Sequence, residues 1–84
     1  MDIRRILAIN VVRLRRAKGL SQEALAWEAA VARSYMVKIE TAKTSTGLDL
    51  IGRLAEVLKV DPDELLRPLP RRQSKQRITQ TAKR

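Results

Sequence analysis

The chain has 84 residues, a formal net charge of +9, no cysteine, no histidine and two aromatic side chains, Trp27 and Tyr35. A chain of this length builds one small core, and without the usual zinc ligands and the commonest general base we expect no enzyme, no metal and no other cofactor. No apolar run approaches the roughly 18 residues that cross a bilayer, and Met1 leads into no secretory signal, so we expect a cytoplasmic protein.

The first predicted helix covers residues 3–17. Its inward face is an apolar stripe spaced by four, four and three residues, formed by Ile3, Leu7, Val11 and Leu14. Gly19 follows at the position of a left-handed helix cap. On a helical wheel Ile9 and Val12 fall far from the stripe, so we expect both to be exposed.

Two short helices are predicted next, over residues 22–29 and 33–40. Ser21 can cap the first of them by accepting a hydrogen bond from a free backbone amide. The inward residues of these two helices are Leu25, Ala26, Ala29, Met36 and Ile39. The outward face of the third helix is formed by Arg33, Ser34, Val37 and Lys38.

A fourth helix is predicted over residues 48–58, after a polar loop. Its inward stripe consists of Leu48, Ile51, Leu54, Ala55 and Leu58. Asp61 and Pro62 then give a short fifth helix its N-cap and its first residue. Because nothing alternates with period two, the pattern predicts an all-α fold of five short helices around one core.

In this order the residues resemble the Cro/CI-type (XRE family) helix-turn-helix regulators. The resemblance runs from Leu7 to Leu66 and includes Lys18-Gly19-Leu20-Ser21-Gln22, Leu25-Ala26, Lys38-Ile39-Glu40 and Asp63-Glu64-Leu65-Leu66. It implies a compact lambda-repressor-like DNA-binding domain over residues 1–66, in which helices 2 and 3 form the helix-turn-helix and helix 3 enters the major groove. The same resemblance favours an ion pair between Arg15 and Glu40 over a phosphate contact by Arg15.

Three alanines depart from the family pattern around helix 3. Ala30 replaces the usual glycine of the turn, Ala32 replaces a Ser or Thr cap, and Ala42 replaces a frequent glycine after the helix. An alanine in a left-handed conformation costs about 1 kcal/mol, and a missing cap oxygen costs about the same. We therefore expect the turn to follow a slightly different path.

The resemblance assigns base contacts to Arg33, Ser34, Val37 and Lys38. Arginine and lysine can donate to guanine O6 and N7, and valine can touch a thymine methyl group. Phosphate contacts are expected from Gln22, Tyr35, Lys43, Thr44, Ser45 and Thr46. The alternative for the outward face is a merely solvated surface, and for Tyr35 it is packing against helix 2.

One further feature concerns assembly. Leu50, Val57 and Leu66 lie beside the inward stripes, and because family members often dimerise through the C-terminal helical region, we expect these residues in a two-fold interface. Scattered surface leucines are the ordinary alternative.

Residues 67–84 carry seven cations and no acid, so we expect a basic, disordered tail that either contacts DNA or only aids solubility.

Taken together, these features predict a sequence-specific DNA-binding transcriptional regulator. Its expected partner is double-stranded DNA, which a homodimer would bind at a palindromic operator. We expect association with the nucleoid, and neither a membrane nor a small-molecule ligand as a partner. Small repressors and controller proteins of restriction-modification systems have a similar length. The alternative is a protein-interaction module of the same fold, an antitoxin or anti-repressor, which would use Ile9, Val12 and Trp27.

Overall fold

A computed structural model of the chain describes residues 2–69, and within them the all-α prediction is confirmed. The five helices are α1 (Ile3–Ala17), α2 (Gln22–Glu28), α3 (Arg33–Glu40), α4 (Leu48–Leu58) and α5 (Pro62–Leu65). The predicted bounds agree with these, except that α2 ends one residue earlier, with Ala29 as its C-cap. The predicted basic tail lies outside the described residues from position 70 onward. None of the helices in the described part of the chain has the length and apolarity of a transmembrane segment.

The α1 helix is buried along only part of its predicted stripe. Leu7 and Val11 lie in the core, whereas Ile3 is 47% exposed because the first turn of the helix extends beyond the packed region. Asp2 caps this turn by accepting a hydrogen bond from the Arg5 amide. At the other end Gly19 has a φ of +72°, as the predicted left-handed cap requires.

Among residues 2–69, one polar side chain lies inside the core. Asn10 of α1 is 1% exposed, and its Nδ2 donates to the carbonyl oxygens of Leu65 and Arg67 at 2.9 Å each. Both amide hydrogens are therefore used at the end of α5, where the carbonyls have no partner in the helix. Asn10 thus fastens the last helix to the first, a role that its position in the sequence did not reveal.

The α4 helix corrects two expectations from the sequence, that Leu50 lies beside the buried stripe and that Leu48 lies within it. Leu50 is only 9% exposed and belongs to the core, while Val57 and Leu66 are partly buried against it. The buried arc is wide because α4 packs against α1, α2 and α5 at once. Leu48, predicted to face inward, is instead 82% exposed at the first residue of the helix.

Candidate nucleic-acid interface

Helices α2 and α3 form a helix-turn-helix whose two parts share a core. Ser21 caps α2, its Oγ accepting a hydrogen bond from the Ala24 amide at 2.9 Å. Leu25 and Ala26 on α2 are buried, as are Met36 and Ile39 on α3. The small side chain of Ala26 lets the two helices approach closely. These apolar contacts fix the relative position of the helices.

The turn between the helices keeps a left-handed residue despite its alanine. Ala30 has a φ of 59°, and the neighbouring Val31 amide donates to the carbonyl oxygen of Ala26 at 2.9 Å. The altered path that we expected from this alanine is therefore not seen at Ala30, and the residue instead carries a strain of about 1 kcal/mol. Ala42, after α3, also has a φ of 59°. Ala32 caps α3 without a side-chain hydrogen bond, as expected.

A residue of α4 also holds the turn. The Nε of Arg53 donates to the carbonyl oxygen of Ala29 at 2.9 Å. Ala29 is the C-cap of α2, where carbonyl groups lack partners within the helix. Arg53 was not among the residues singled out from the sequence, because its partner is a backbone atom 24 positions away and no side-chain pattern announces it.

The C-terminal end of α3 is held by a polar cluster. The guanidinium of Arg15 on α1 contacts the carboxylate of Glu40 through Nε to Oε2 at 2.7 Å and Nη2 to Oε1 at 3.0 Å. Arg15 also donates through Nη1 to the carbonyl oxygen of Leu20 at 3.0 Å. Hydrogen bonding to Glu40 raises the pKa of Arg15 against the opposing effect of its burial, so the guanidinium stays charged. The expected pairing of Arg15 with Glu40 is confirmed.

Gln22 joins the same cluster from the first residue of α2. Its Nε2 donates to Glu40 Oε1 at 3.0 Å, so one carboxylate ties together α1, α2 and α3. The side-chain amide has two hydrogens, and one hydrogen bond leaves the other available to an external acceptor. The geometry thus gives Gln22 a structural contact and still permits the phosphate contact predicted from the sequence.

The outward face of α3 is free of the core. The side chains of Arg33, Ser34, Val37 and Lys38 are exposed, with Val37 at 41%. The charged and polar groups on this face have neither an ion pair nor a side-chain hydrogen bond among residues 2–69. The four predicted base-contacting residues are therefore brought together on one accessible surface of a rigidly held helix.

The predicted phosphate-contacting residues on α3 and in the loop after it differ in their exposure. Tyr35 is half-buried, its ring packs against the core, and its hydroxyl donates to the carbonyl oxygen of Ser45 at 3.2 Å. Lys43 and Ser45 are exposed and Thr44 is half-buried. The Thr46 hydroxyl oxygen is buried and is not presented to a phosphate. The ring of Tyr35 thus packs against the core, and the hydrogen bond from its hydroxyl connects α3 to the loop.

Comparison with known proteins places this arrangement among helix-turn-helix proteins. A family model described as a helix-turn-helix domain matches residues 6–69, well over half of the chain. An uncharacterized HTH-type transcriptional regulator of Sinorhizobium fredii (strain NBRC 101917 / NGR234), y4dJ, is 32% identical over 68 residues, which cover 81% of this chain and 88% of the relative.

Two solved structures are similar in sequence and in fold. The hypothetical transcription factor NHTF from Neisseria superposes with a TM-score of 0.78 at 36% identity, over 80% of this chain and 77% of that one. The restriction-modification controller protein C.AhdI from Aeromonas hydrophila gives a TM-score of 0.71 at 37% identity, over 74% of this chain and 94% of that one. The lambda-repressor-like fold predicted from the sequence is confirmed by these neighbours.

Proposed function

The chain belongs to the helix-turn-helix family of DNA-binding transcriptional regulators, and from this premise we propose that it binds a palindromic operator as a homodimer. The observation that carries the proposal is the exposed outward face of α3, held in place by Glu40 and its two partners. A short helix can read bases only if its axis is fixed relative to the parts that grip the backbone. The Glu40 cluster provides that fixation.

Sequence would be read by the side chains on the outward face of α3. Arg33, at the first helical position, can donate two hydrogen bonds to O6 and N7 of a guanine. Lys38 can reach the same acceptors or a phosphate, and the exposed methyl groups of Val37 suit the methyl group of a thymine. Ser34 can donate to or accept from either kind of base pair.

The phosphate backbone would be gripped on both sides of α3. On one side the free hydrogen of the Gln22 amide can donate to a phosphate oxygen. On the other side Lys43, Thr44 and Ser45 offer a charge and two hydroxyls. We leave Thr46 out of this set because its hydroxyl is buried, and we assign Tyr35 to positioning the loop through Ser45.

The second protomer would pack on the C-terminal helices. Val57 and Leu66 are partly buried and keep apolar surface available, whereas Leu50 is almost fully used by the core of its own protomer. Two-fold pairing would set two α3 helices on successive turns of the major groove, about 34 Å apart. Without a ligand domain in residues 1–66, such a dimer would act by blocking a promoter or by offering a surface to polymerase, as a repressor or a controller-type protein.

The first test is selection of bound duplexes from a random DNA pool at moderate salt, followed by sequencing. An inverted repeat with half-site centres about one helical turn apart is the expected result. The matched control is the Arg33→Ala, Lys38→Ala double variant, which keeps the fold but removes two readers from α3. No enrichment above a salt-sensitive background with the parent protein would contradict the proposal.

A further inference from the structure

A groove of about 490 Å³ runs along α1, and it shares no residue with the proposed DNA-contacting set. One wall is the exposed face of α1, and the other is the end of α3 with the residues after it, Glu40, Thr41 and Ala42. The face of α1 that lines it extends from Arg5 to Arg16, about 16 Å at 1.5 Å per residue. That length matches about three turns of a second helix.

The floor of the groove is apolar and open. Ile9 is 46% exposed and Val12 is half-buried, and Ala8 lies below them in the core. Ile9 and Val12 are three residues apart on a helix and therefore lie side by side. Single exposed apolar residues are ordinary on protein surfaces, but here two neighbours line one depression of a size that accepts side chains.

The rim of the groove is positively charged. It carries Arg5, Arg13 and Arg16, none of which forms an ion pair with an acid among residues 2–69. The one carboxylate in the wall, that of Glu40, is 5% exposed and is neutralised by Arg15. The groove therefore has no effective negative charge to set against the three arginines.

This charge pattern selects among the possible occupants. Residues 70–84 of the chain contain six cations and no acid, so the three rim arginines would repel them. A second copy seated face to face on the same groove would bring two such rims together, which is also unfavourable. DNA phosphates would suit the rim but would leave the apolar floor uncovered. A helix with an apolar stripe between acidic residues satisfies both the floor and the rim.

We propose that the α1 groove docks an acidic amphipathic helix of another protein. The apolar stripe of that helix covers Ile9 and Val12, and its carboxylates pair with Arg5 and Arg16 at the two ends of the apolar row and with Arg13 beside it. The groove contains none of the residues proposed to contact DNA, so a partner bound there leaves the outward face of α3 accessible.

The experiment titrates the full chain into a fluorescently labelled synthetic peptide and follows its anisotropy. The probe is a helical peptide of about 14 residues with leucines spaced by three and four, and with glutamates at both ends of the leucine stripe and along one flank. A peptide of identical composition with the leucines spread around the helix is the control probe. We expect saturable binding of the amphipathic peptide, with a dissociation constant below about 1 mM, and binding at least tenfold weaker for the scrambled one.

Two protein variants, each with a control variant outside the groove, locate the site. Ile9→Glu should weaken binding about ten- to hundredfold because it removes the apolar floor, whereas Ile3→Glu, at the equally exposed isoleucine outside the groove, should not. The Arg5→Glu, Arg16→Glu double variant should lose the acidic peptide and gain the version with lysine in place of glutamate. Arg4→Glu, one position outside the groove lining, is its control. Circular dichroism checks that each variant keeps the helical content of the parent.

Four results would overturn the proposal. The first is absence of saturable peptide binding, and the second is equal binding of the scrambled peptide, which would show charge attraction only. The third is displacement of the peptide by a short DNA duplex together with weaker DNA binding by the Arg5→Glu, Arg16→Glu variant, which would make the groove part of the DNA surface. The fourth is a change of sedimentation mass on Ile9→Glu, which would assign the groove to a second copy of the chain.

Discussion

Arg15 and Glu40 lie 25 positions apart in the chain and form a two-pronged ion pair, with Nε to Oε2 at 2.7 Å and Nη2 to Oε1 at 3.0 Å. The pair fixes the end of α3 to α1, and Gln22 adds α2 to the same carboxylate. Arginine suits this role because its planar fork matches both carboxylate oxygens at once. The α3 helix is thus held at its C-terminal end as well as through its apolar face.

Arg15→Ala is expected to lower the free energy of unfolding by about 2–3 kcal/mol, because the nearly buried carboxylate of Glu40 then loses its cationic partner. Urea unfolding followed by circular dichroism measures the change. Arg16→Ala, the neighbouring exposed arginine, is the control and should change stability by less than about 0.5 kcal/mol. Equal effects of the two substitutions would mean that the pair with Glu40 does not stabilise the fold.

Ala30→Gly is expected to stabilise the protein by about 0.5–1 kcal/mol. The φ of 59° at Ala30 strains an alanine but not a glycine, and this gain exceeds the entropy that glycine adds to the unfolded chain. Ala24→Gly is the contrasting control, because Ala24 lies inside α2, where glycine costs about 0.5–1 kcal/mol. Thermal unfolding should move in opposite directions for the two variants. A lower melting temperature for Ala30→Gly would show that this turn is not strained.

The fold was largely predictable because local signals and the core agree. The spacing of apolar residues, the cap at Ser21 and the proline at position 62 each mark a helix boundary that the structure keeps. Periodicity failed at Leu48, which lies in the first turn of α4 outside the core. It also failed at Leu50, which is buried because α4 packs against three other helices. Which arc of a helix is buried depends on how many partners it has, and that is a property of the tertiary structure.

The outward residues of the candidate site and the Arg15–Glu40 pair that supports α3 were predictable, but the supporting contacts to backbone atoms were not. The outward face of α3 followed from helical geometry once the family resemblance was seen. Asn10 donates to backbone carbonyls 55 and 57 residues away, and Arg53 donates to a backbone carbonyl 24 residues away. Such contacts leave no pattern in the sequence. The buried hydroxyl of Thr46 and the contact from Tyr35 to Ser45 likewise depend on the path of the loop.

Base readers and backbone contacts are expected to respond differently to substitution. Arg33→Ala should cost about 1–3 kcal/mol of binding free energy on the selected operator and relax the base preference at one position of each half-site. Lys43→Ala should weaken binding to all sequences similarly and reduce the dependence of log affinity on log salt by about 1. Lys59→Gly is a charge-matched control in the turn after α4, where glycine fits the φ of 59°. Binding titrations at several salt concentrations separate these outcomes, and indistinguishable behaviour of Arg33→Ala and Lys43→Ala would show that α3 does not read the sequence.

The proposed dimer predicts that Val57→Asp weakens self-association at least about tenfold. A carboxylate on this partly buried position of α4 would have to leave water when the two protomers meet. Sedimentation equilibrium measures the effect, and urea unfolding of the same variant accounts for any loss of stability within the protomer. Leu48→Asp is the control, since Leu48 is 82% exposed at the start of the same helix and lies outside the proposed interface.

Because operator affinity rises with the fraction of dimer, Val57→Asp should also weaken operator binding at low protein concentration but not at concentrations that restore the dimer. A parent protein that sediments as a monomer at tens of micromolar, with Val57→Asp behaving identically, would exclude this surface as the dimer interface.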